Sequence, residues 1–284
     1  MKTRIISGVS YAVLIIAILF FMDTPALPLF IALASAVGVY ELNHIVKADL
    51  SIMIPSIAVA AFIPINVEYH LLDKIHLQPL TALSFYVIAM LIIMVALHKK
   101  NKFEQVAVSV FSSLAIPEAL SCWIRLHNVP HEFNGKYDAS HAIYLILFAF
   151  FCAWLTDTFA YFCGVALGKH KMTPVISPKK TWEGAIGGVL LTAAANIALY
   201  FIFDAKFFTS PFTDWKWYAI IPISIVISVI SIFGDLAASV IKRNFGVKDY
   251  GWIIPGHGGV MDRFDSMVFV LPTMYAVICM INAF

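Results

Sequence analysis

Nine long apolar runs, at 5–22, 26–46, 50–67, 79–97, 105–127, 141–167, 184–203, 217–241 and 266–283, constrain this chain more than any other feature. About 20 mostly apolar residues are enough to cross a bilayer, and inside lipid such a stretch satisfies its own backbone only as a helix. The pattern predicts an all-α polytopic integral membrane protein with about nine transmembrane helices. Composition agrees, since the 284 residues are 61% hydrophobic and only 13% charged. A soluble protein carries roughly 25% charged residues, so a soluble globular enzyme is excluded, and so is a disordered chain. A net charge of +2 is too small to point to nucleic acid. Cys122, Cys152, Cys163 and Cys279 lie inside apolar stretches without a CxxC pair, so they read as small buried hydrophobes. The first run follows Lys2 and Arg4, is long for a signal peptide and lacks a small-x-small cleavage site. It reads as an uncleaved membrane helix.

The connections between runs give an orientation. Segments 1–4, 47–49, 98–104, 168–183 and 242–265 share one side and hold 14 of the 19 Lys and Arg residues. The positive-inside rule puts that side, and the N-terminus, in the cytoplasm. Residues 1–140 read as about five N-terminal transmembrane helices. Residues 141–284 read as a catalytic region of about four helices whose active-site loops, 168–183 and 242–265, are cytoplasmic. No internal repeat supports an inverted-repeat transporter.

Chemistry concentrates in GDLAASVIKRNFGVKDYGWIIPGHGGVMDRFD, Gly234 to Asp265. Asp235, Ser239 and Lys242 follow i, i+4, i+7 and share a helical face. Asp262 and Asp265 are three apart and share a face if the last helix has begun there. A carboxylate in a membrane helix is costly and marks function. Lys242, Arg243, Lys248, Asp249 and Arg263 surround these acids, and Pro255 to Gly259 form a tight turn that lets backbone approach a ligand. Carboxylates among basic groups suit a hard divalent cation with a phosphate substrate. Mg²⁺ is usually held by one or two carboxylates plus substrate phosphates, and Lys and Arg neutralise the rest. Helix-end salt bridges are the plain alternative for any single residue.

A second segment, SPKKTWEG from Ser177 to Gly184, predicts a helix with Ser177 as N-cap and Pro178 in its first turn. Lys179 and Lys180 would then oppose the helix dipole, which makes sense beside an anion. The alternative is a positive-inside anchor. Asp157 and Tyr161, in DTFAYFCG, share a face and read equally as a site or as a satisfied interhelical partner. Glu41 and Glu118 are weaker candidates. His257 is placed to donate to phosphate rather than to bind metal.

The stretch from Ser239 to Asp265 resembles the phosphatidate cytidylyltransferases, or CDP-diacylglycerol synthases. Ser239, Lys242–Arg243, Lys248–Asp249, Pro255-Gly256-His257-Gly258-Gly259 and Asp262-Arg263-Phe264-Asp265 stand at that family's spacing. SPKKTWEG and the Asp157–Tyr161 element look like family segments as well, whereas residues 1–140 add little beyond architecture. The resemblance implies transfer of CMP from CTP to phosphatidic acid, giving CDP-diacylglycerol and pyrophosphate. It implies Asp235, Asp262 and Asp265 as Mg²⁺ ligands. Lys242, Arg243, Lys248, Asp249, His257 and Arg263 become catalytic or phosphate-contacting groups, and Ser177, Lys179, Lys180, Ser239 and Asp157 substrate-binding ones. A second, monovalent cation such as K⁺ and a homodimer are implied too.

That reading suits a multi-pass protein of the cell (inner) membrane, because phosphatidic acid presents its headgroup at the interface and CTP is cytoplasmic. A CTP-using lipid kinase is the near alternative, and it would need a base for a neutral hydroxyl. A divalent-cation transporter predicts acids at several depths and no basic clusters. A non-catalytic scaffold does not explain the dense polar motif.

Overall fold

A computed structural model of the chain describes residues 13–133, 135–207, 216–254 and 258–283. Residues 13–20 are helical, here α1, which leaves part of the first apolar run outside the described residues. The next helices are α2 (Ala26–Ile45), α3 (Leu50–Tyr69), α4 (Pro79–Ala96) and α5 (Phe103–His127). They are followed by α6 (Ala139–Leu167), α7 (Trp182–Lys206), α8 (Trp217–Asn244) and α9 (Met261–Ala283). Among the described residues, eight helices, α2 to α9, are long and apolar enough to cross a membrane. The all-α polytopic architecture expected from the sequence is therefore present. A short antiparallel hairpin of β1 (Lys171–Thr173) and β2 (Ser177–Thr181) is the one sheet among the described residues.

The chain divides into two compact units. The first holds residues up to Ile124 together with Phe245–Arg263. Its helices are tied by polar side chains rather than by apolar contact alone. The Tyr86 hydroxyl reaches Ser56 at 3.2 Å and Ser113 at 2.7 Å, and the Ser109 hydroxyl donates to the Asn43 side chain. Gln105 donates to the carbonyls of Val46 and Lys47 at 3.2 and 2.8 Å, clamping the α2–α3 turn. Lipid tails are as apolar as Leu, so hydrogen bonds and close packing hold such helices together, each bond contributing about 0.6 kcal/mol. The α3 N-terminus is capped by Asp49, which accepts the Ser51 N–H at 3.0 Å.

The second unit holds Arg125–Asn244 and Phe264–Phe284. Its tightest packing joins α6 to α7, and small residues explain why. A Cβ at Gly184 would lie 2.6 Å from the Ala160 carbonyl, and one at Gly188 would lie 2.7 Å from the Thr156 carbonyl. Gly184 and Gly188 form a small-xxx-small pair that lets two backbones meet. Polar groups then fix the register. Thr156 and Thr192 hydroxyls are 3.1 Å apart, and Asn196 donates to Ser224 at 2.9 Å and to Cys152 at 3.2 Å. A π-helical turn at Phe151–Leu155 interrupts α6 just before Asp157. Such turns re-aim the residues that follow them and are frequent at functional sites.

Three local expectations change. SPKKT is a β-strand, not the first turn of a helix, and Ser177 is not an N-cap. The helix begins at Trp182 with Thr181 as its cap, because the Thr181 hydroxyl accepts the Gly184 N–H at 3.2 Å. Thr181 offers the same capping chemistry as Ser177, and pairing of Ser177 with Thr173 and of Thr181 with Lys171 decides between them. Next, α8 runs on to Asn244, so the 242–265 loop begins later than expected and Arg243 is helical along with Lys242. Basic residues in a last turn complement the helix dipole, which favours that extension. Finally, Asp262 and Asp265 do not share one helical face. A single turn, Met261–Phe264, ends at Asp265–Ser266, and the helix resumes at Met267.

Candidate active site

The site is built in the second unit, around the end of α6, the hairpin and α8. Glu183, in the first turn of α7, pulls the start of the hairpin onto itself. Its carboxylate accepts the N–H groups of Lys169 at 3.1 Å and His170 at 3.2 Å, and it meets the His170 ring at 2.6 Å. The Trp182 N–H donates back to the His170 carbonyl at 3.0 Å. These bonds, with the Thr181 cap, set the strand that carries Lys179 and Lys180. Thr181→Ala is expected to cost about 1 kcal/mol, the usual worth of an N-cap, and to lower the thermal unfolding midpoint of the detergent-solubilised protein.

The hairpin roofs a cavity of about 570 Å³. Lys171, Lys179, Lys180 and Thr181 line it from the hairpin, Asp157 and Tyr161 from α6, and Asp235 from α8. Ala160, Val165, Ala185 and Ile232 supply apolar wall. Lys180, half-buried, forms an ion pair with the half-buried Asp235. Asp157 feels the charges of Lys180 and Asp235. Asp265, at the break in α9, feels those of Asp235, Lys242 and Asp157. Three acids, from α6, α8 and α9, and two lysines, from β2 and α8, thus share one electrostatic neighbourhood. Isolated, each would be expensive there, and together they lower the cost.

The remaining expected residues are spread more widely. Ser239 and Lys242 lie one and two turns beyond Asp235 on the continuous α8, as their spacing requires, and Arg243 is exposed beside them. Ser177 sits at the far end of β2, paired with Thr173. Lys248 and Asp249 are exposed in the first unit. Asp262 belongs to that unit as well, where one carboxylate oxygen accepts the N–H groups of Tyr250 at 2.8 Å and Gly259 at 2.9 Å. Arg263 follows it, half-buried. His257, with Pro255 and Gly256, lies outside the described residues.

A polyanion fits this cavity better than a neutral ligand does, given three lysines on one wall. The acids supply hard oxygen donors. Among the described residues, no group of three His, Cys, Asp or Glu side chains converges to enclose a metal ion unaided. Two residues were underrated from the sequence. Glu183 looks like an ordinary first-turn acid until the hairpin folds back onto it. Glu41 looks like one acid in an apolar helix until its partners are seen.

A model of the cytidylyltransferase family matches residues 2–281. The chain belongs to the cytidylyltransferase family. Cytidylyltransferases are nucleotidyltransferases, which generally use a divalent metal, and the carboxylate cluster is compatible with one. A Staphylococcus haemolyticus protein named phosphatidate cytidylyltransferase is 36% identical over 279 residues, covering 96% of this chain and 97% of that one. Proteins of the same name from Staphylococcus saprophyticus and Staphylococcus aureus are 37% and 38% identical over 203 and 201 residues. Those alignments cover 71% and 70% of this chain, and 69% and 68% of the relatives. The family resemblance carried by Ser239 to Asp265 therefore extends over nearly the whole sequence.

Proposed function

We propose that this chain transfers the cytidylyl group of CTP to phosphatidic acid, giving CDP-diacylglycerol and pyrophosphate. The observation that carries this reading is the lysine-lined cavity beside Asp157 and Asp235 in a cytidylyltransferase built of membrane helices. An oxygen of the lipid phosphate attacks the α-phosphorus of CTP. The bond from that phosphorus to the oxygen bridging the β-phosphate breaks, and pyrophosphate leaves with the electron pair. The attacking phosphate is already ionised at neutral pH, so no strong base is needed. The work of the residues is to hold two polyanions together and in line.

Lys171, Lys179 and Lys180 are suited to phosphate oxygens, as point charges on flexible stems. Lys180 is already committed to Asp235, so substrate binding would redistribute that pair. Mg²⁺ is the cation this reading favours, with Asp235 and Asp265 of the second unit as candidate ligands, and the motif alone assigns Asp262 a ligand's role. When bound it supplies Lewis-acid stabilisation of the phosphoryl charge. The apolar wall formed by Val165, Ala185 and Ile232 suits a substrate that arrives from the bilayer.

The hairpin belongs to the basic set of connections, so this reading puts the catalytic face in the cytoplasm. Lys74→Gln and Lys206→Gln, on the opposite set, are expected to leave turnover almost unchanged. A large loss in either would reverse the orientation.

The deciding experiment uses purified protein in detergent with phosphatidic acid and CTP labelled at the α-phosphate, with and without Mg²⁺. Label entering the lipid phase only with Mg²⁺, with pyrophosphate released, is the expected result. Label recovered in CDP, with phosphate on a lipid, would replace transfer of CMP by a kinase reaction.

A further inference from the structure

Glu41 sits near the end of α2, a helix otherwise almost free of charge, and is only 1% exposed. A carboxylate so buried needs partners, and it finds them in backbone. Its two oxygens accept the N–H groups of Val260 and Met261, each at 2.9 Å. Those donors open the single helical turn Met261–Phe264 and would otherwise lack acceptors within it. The surroundings are shaped to admit the carboxylate. A Cβ at Gly251 would lie 2.5 Å from Glu41 Oε1, and one at Gly259 would lie closer still to Oε2. Two glycines of the loop therefore close on one acid from a helix more than 200 residues earlier in the chain.

The same loop is held a second time, from within. Asp262 accepts from Tyr250, which precedes Gly251, and from Gly259 itself. Glu41 and Asp262 thus share the task of holding Tyr250 and residues 259–261, and Glu41 sets the backbone immediately before Asp262. Neither the spacing of the motif nor the resemblance assigns Glu41 any part in this.

We propose that Glu41 is a positioning residue for cytidylyl transfer. It touches neither substrate nor metal but fixes the turn that presents the Asp262 carboxylate. The inference rests on the reading of Asp262 as a metal ligand. Groups that orient a ligating residue typically contribute 10–100-fold to metal affinity or activity.

The test compares Glu41→Gln with the parent, as full-length protein in detergent. Glutamine keeps the size, but its NH₂ faces a backbone N–H where an acceptor is needed. Three quantities are read: hydrogen exchange of residues 250–262 without metal, the Mg²⁺ concentration for half-maximal activity, and kcat against KM for CTP. The expected result is faster exchange confined to 250–262, a Mg²⁺ midpoint raised about 10-fold or more, and a fall in kcat larger than any rise in KM. Faster exchange with an unchanged Mg²⁺ midpoint and kcat would overturn the proposal, leaving Glu41 a fold anchor. So would unchanged exchange.

Gly251→Ala, which pushes a methyl against the same carboxylate, is measured alongside in case Glu41→Gln does not fold. Collapse of both variants also overturns the proposal, since a residue the whole fold depends on is not specifically a positioning one. Asp262→Asn separates the two levels of the argument. If it leaves turnover and the Mg²⁺ midpoint intact, the reading of Asp262 fails whatever Glu41 does. If it abolishes turnover while Glu41→Gln is silent, only the present inference fails.

Discussion

Asp235→Asn is expected to lower cytidylyl transfer at least about 100-fold while the purified protein stays folded, the usual scale when a group that stabilises transition-state charge is lost. Asp235 lines the cavity, pairs with Lys180 and lies within the field of Asp157 and Asp265. Asparagine preserves the shape and an acceptor oxygen but removes the negative charge. It weakens a hard-cation site, and it leaves Lys180 without its counter-charge in a half-buried position. The loss should therefore appear in kcat at saturating CTP and Mg²⁺, and elution on size exclusion and helix content should match the parent. Turnover within a few-fold of the parent would remove Asp235 from the metal site. A misfolded product would show its role to be structural.

Gly188→Leu is expected to abolish activity by a different route, through loss of folded protein. The Cβ alone would meet the Thr156 carbonyl at 2.7 Å and the Ala160 side chain at 2.9 Å. The first of these is backbone and cannot swing aside, so α6 and α7 must separate. Overpacking of this kind costs about 1–3 kcal/mol, occasionally more. It would also break the Thr156–Thr192 bond and shift Asp157, which follows Thr156 directly. The check is the yield of monodisperse protein and its thermal midpoint, both expected to fall well below the parent. Ala at the same position has the same first clash and should show a smaller fall. A fully stable Gly188→Leu protein would mean that α6 and α7 do not rely on this close approach.

The helices were legible because lipid imposes a simple rule: each crossing must be apolar for about 20 residues and must bond its own backbone. That rule works on local sequence alone, so α2 to α9 fall close to the apolar runs. Asp157, Asp235 and Asp265 stood out for the converse reason, as acids in or beside apolar runs, and the structure brings these three into one neighbourhood. The hairpin was not legible. Ser177 and Thr181 are both good caps, and nothing between residues 171 and 184 says which is used. The choice rests on cross-strand pairing and on Glu183 accepting from Lys169 and His170, contacts between groups 13 and 14 residues apart.

Taken by itself, the sequence determined that this is a multi-helix membrane protein with the motif of a cytidylyltransferase, since hydropathy and motif spacing are properties of the chain before it folds. Only the tertiary structure decided that Lys180 meets Asp235, and that Glu41 holds the turn before Asp262. These partners are 55 and about 220 residues apart in the chain. A buried carboxylate advertises that it needs a partner, but which one it receives is set by how the helices pack.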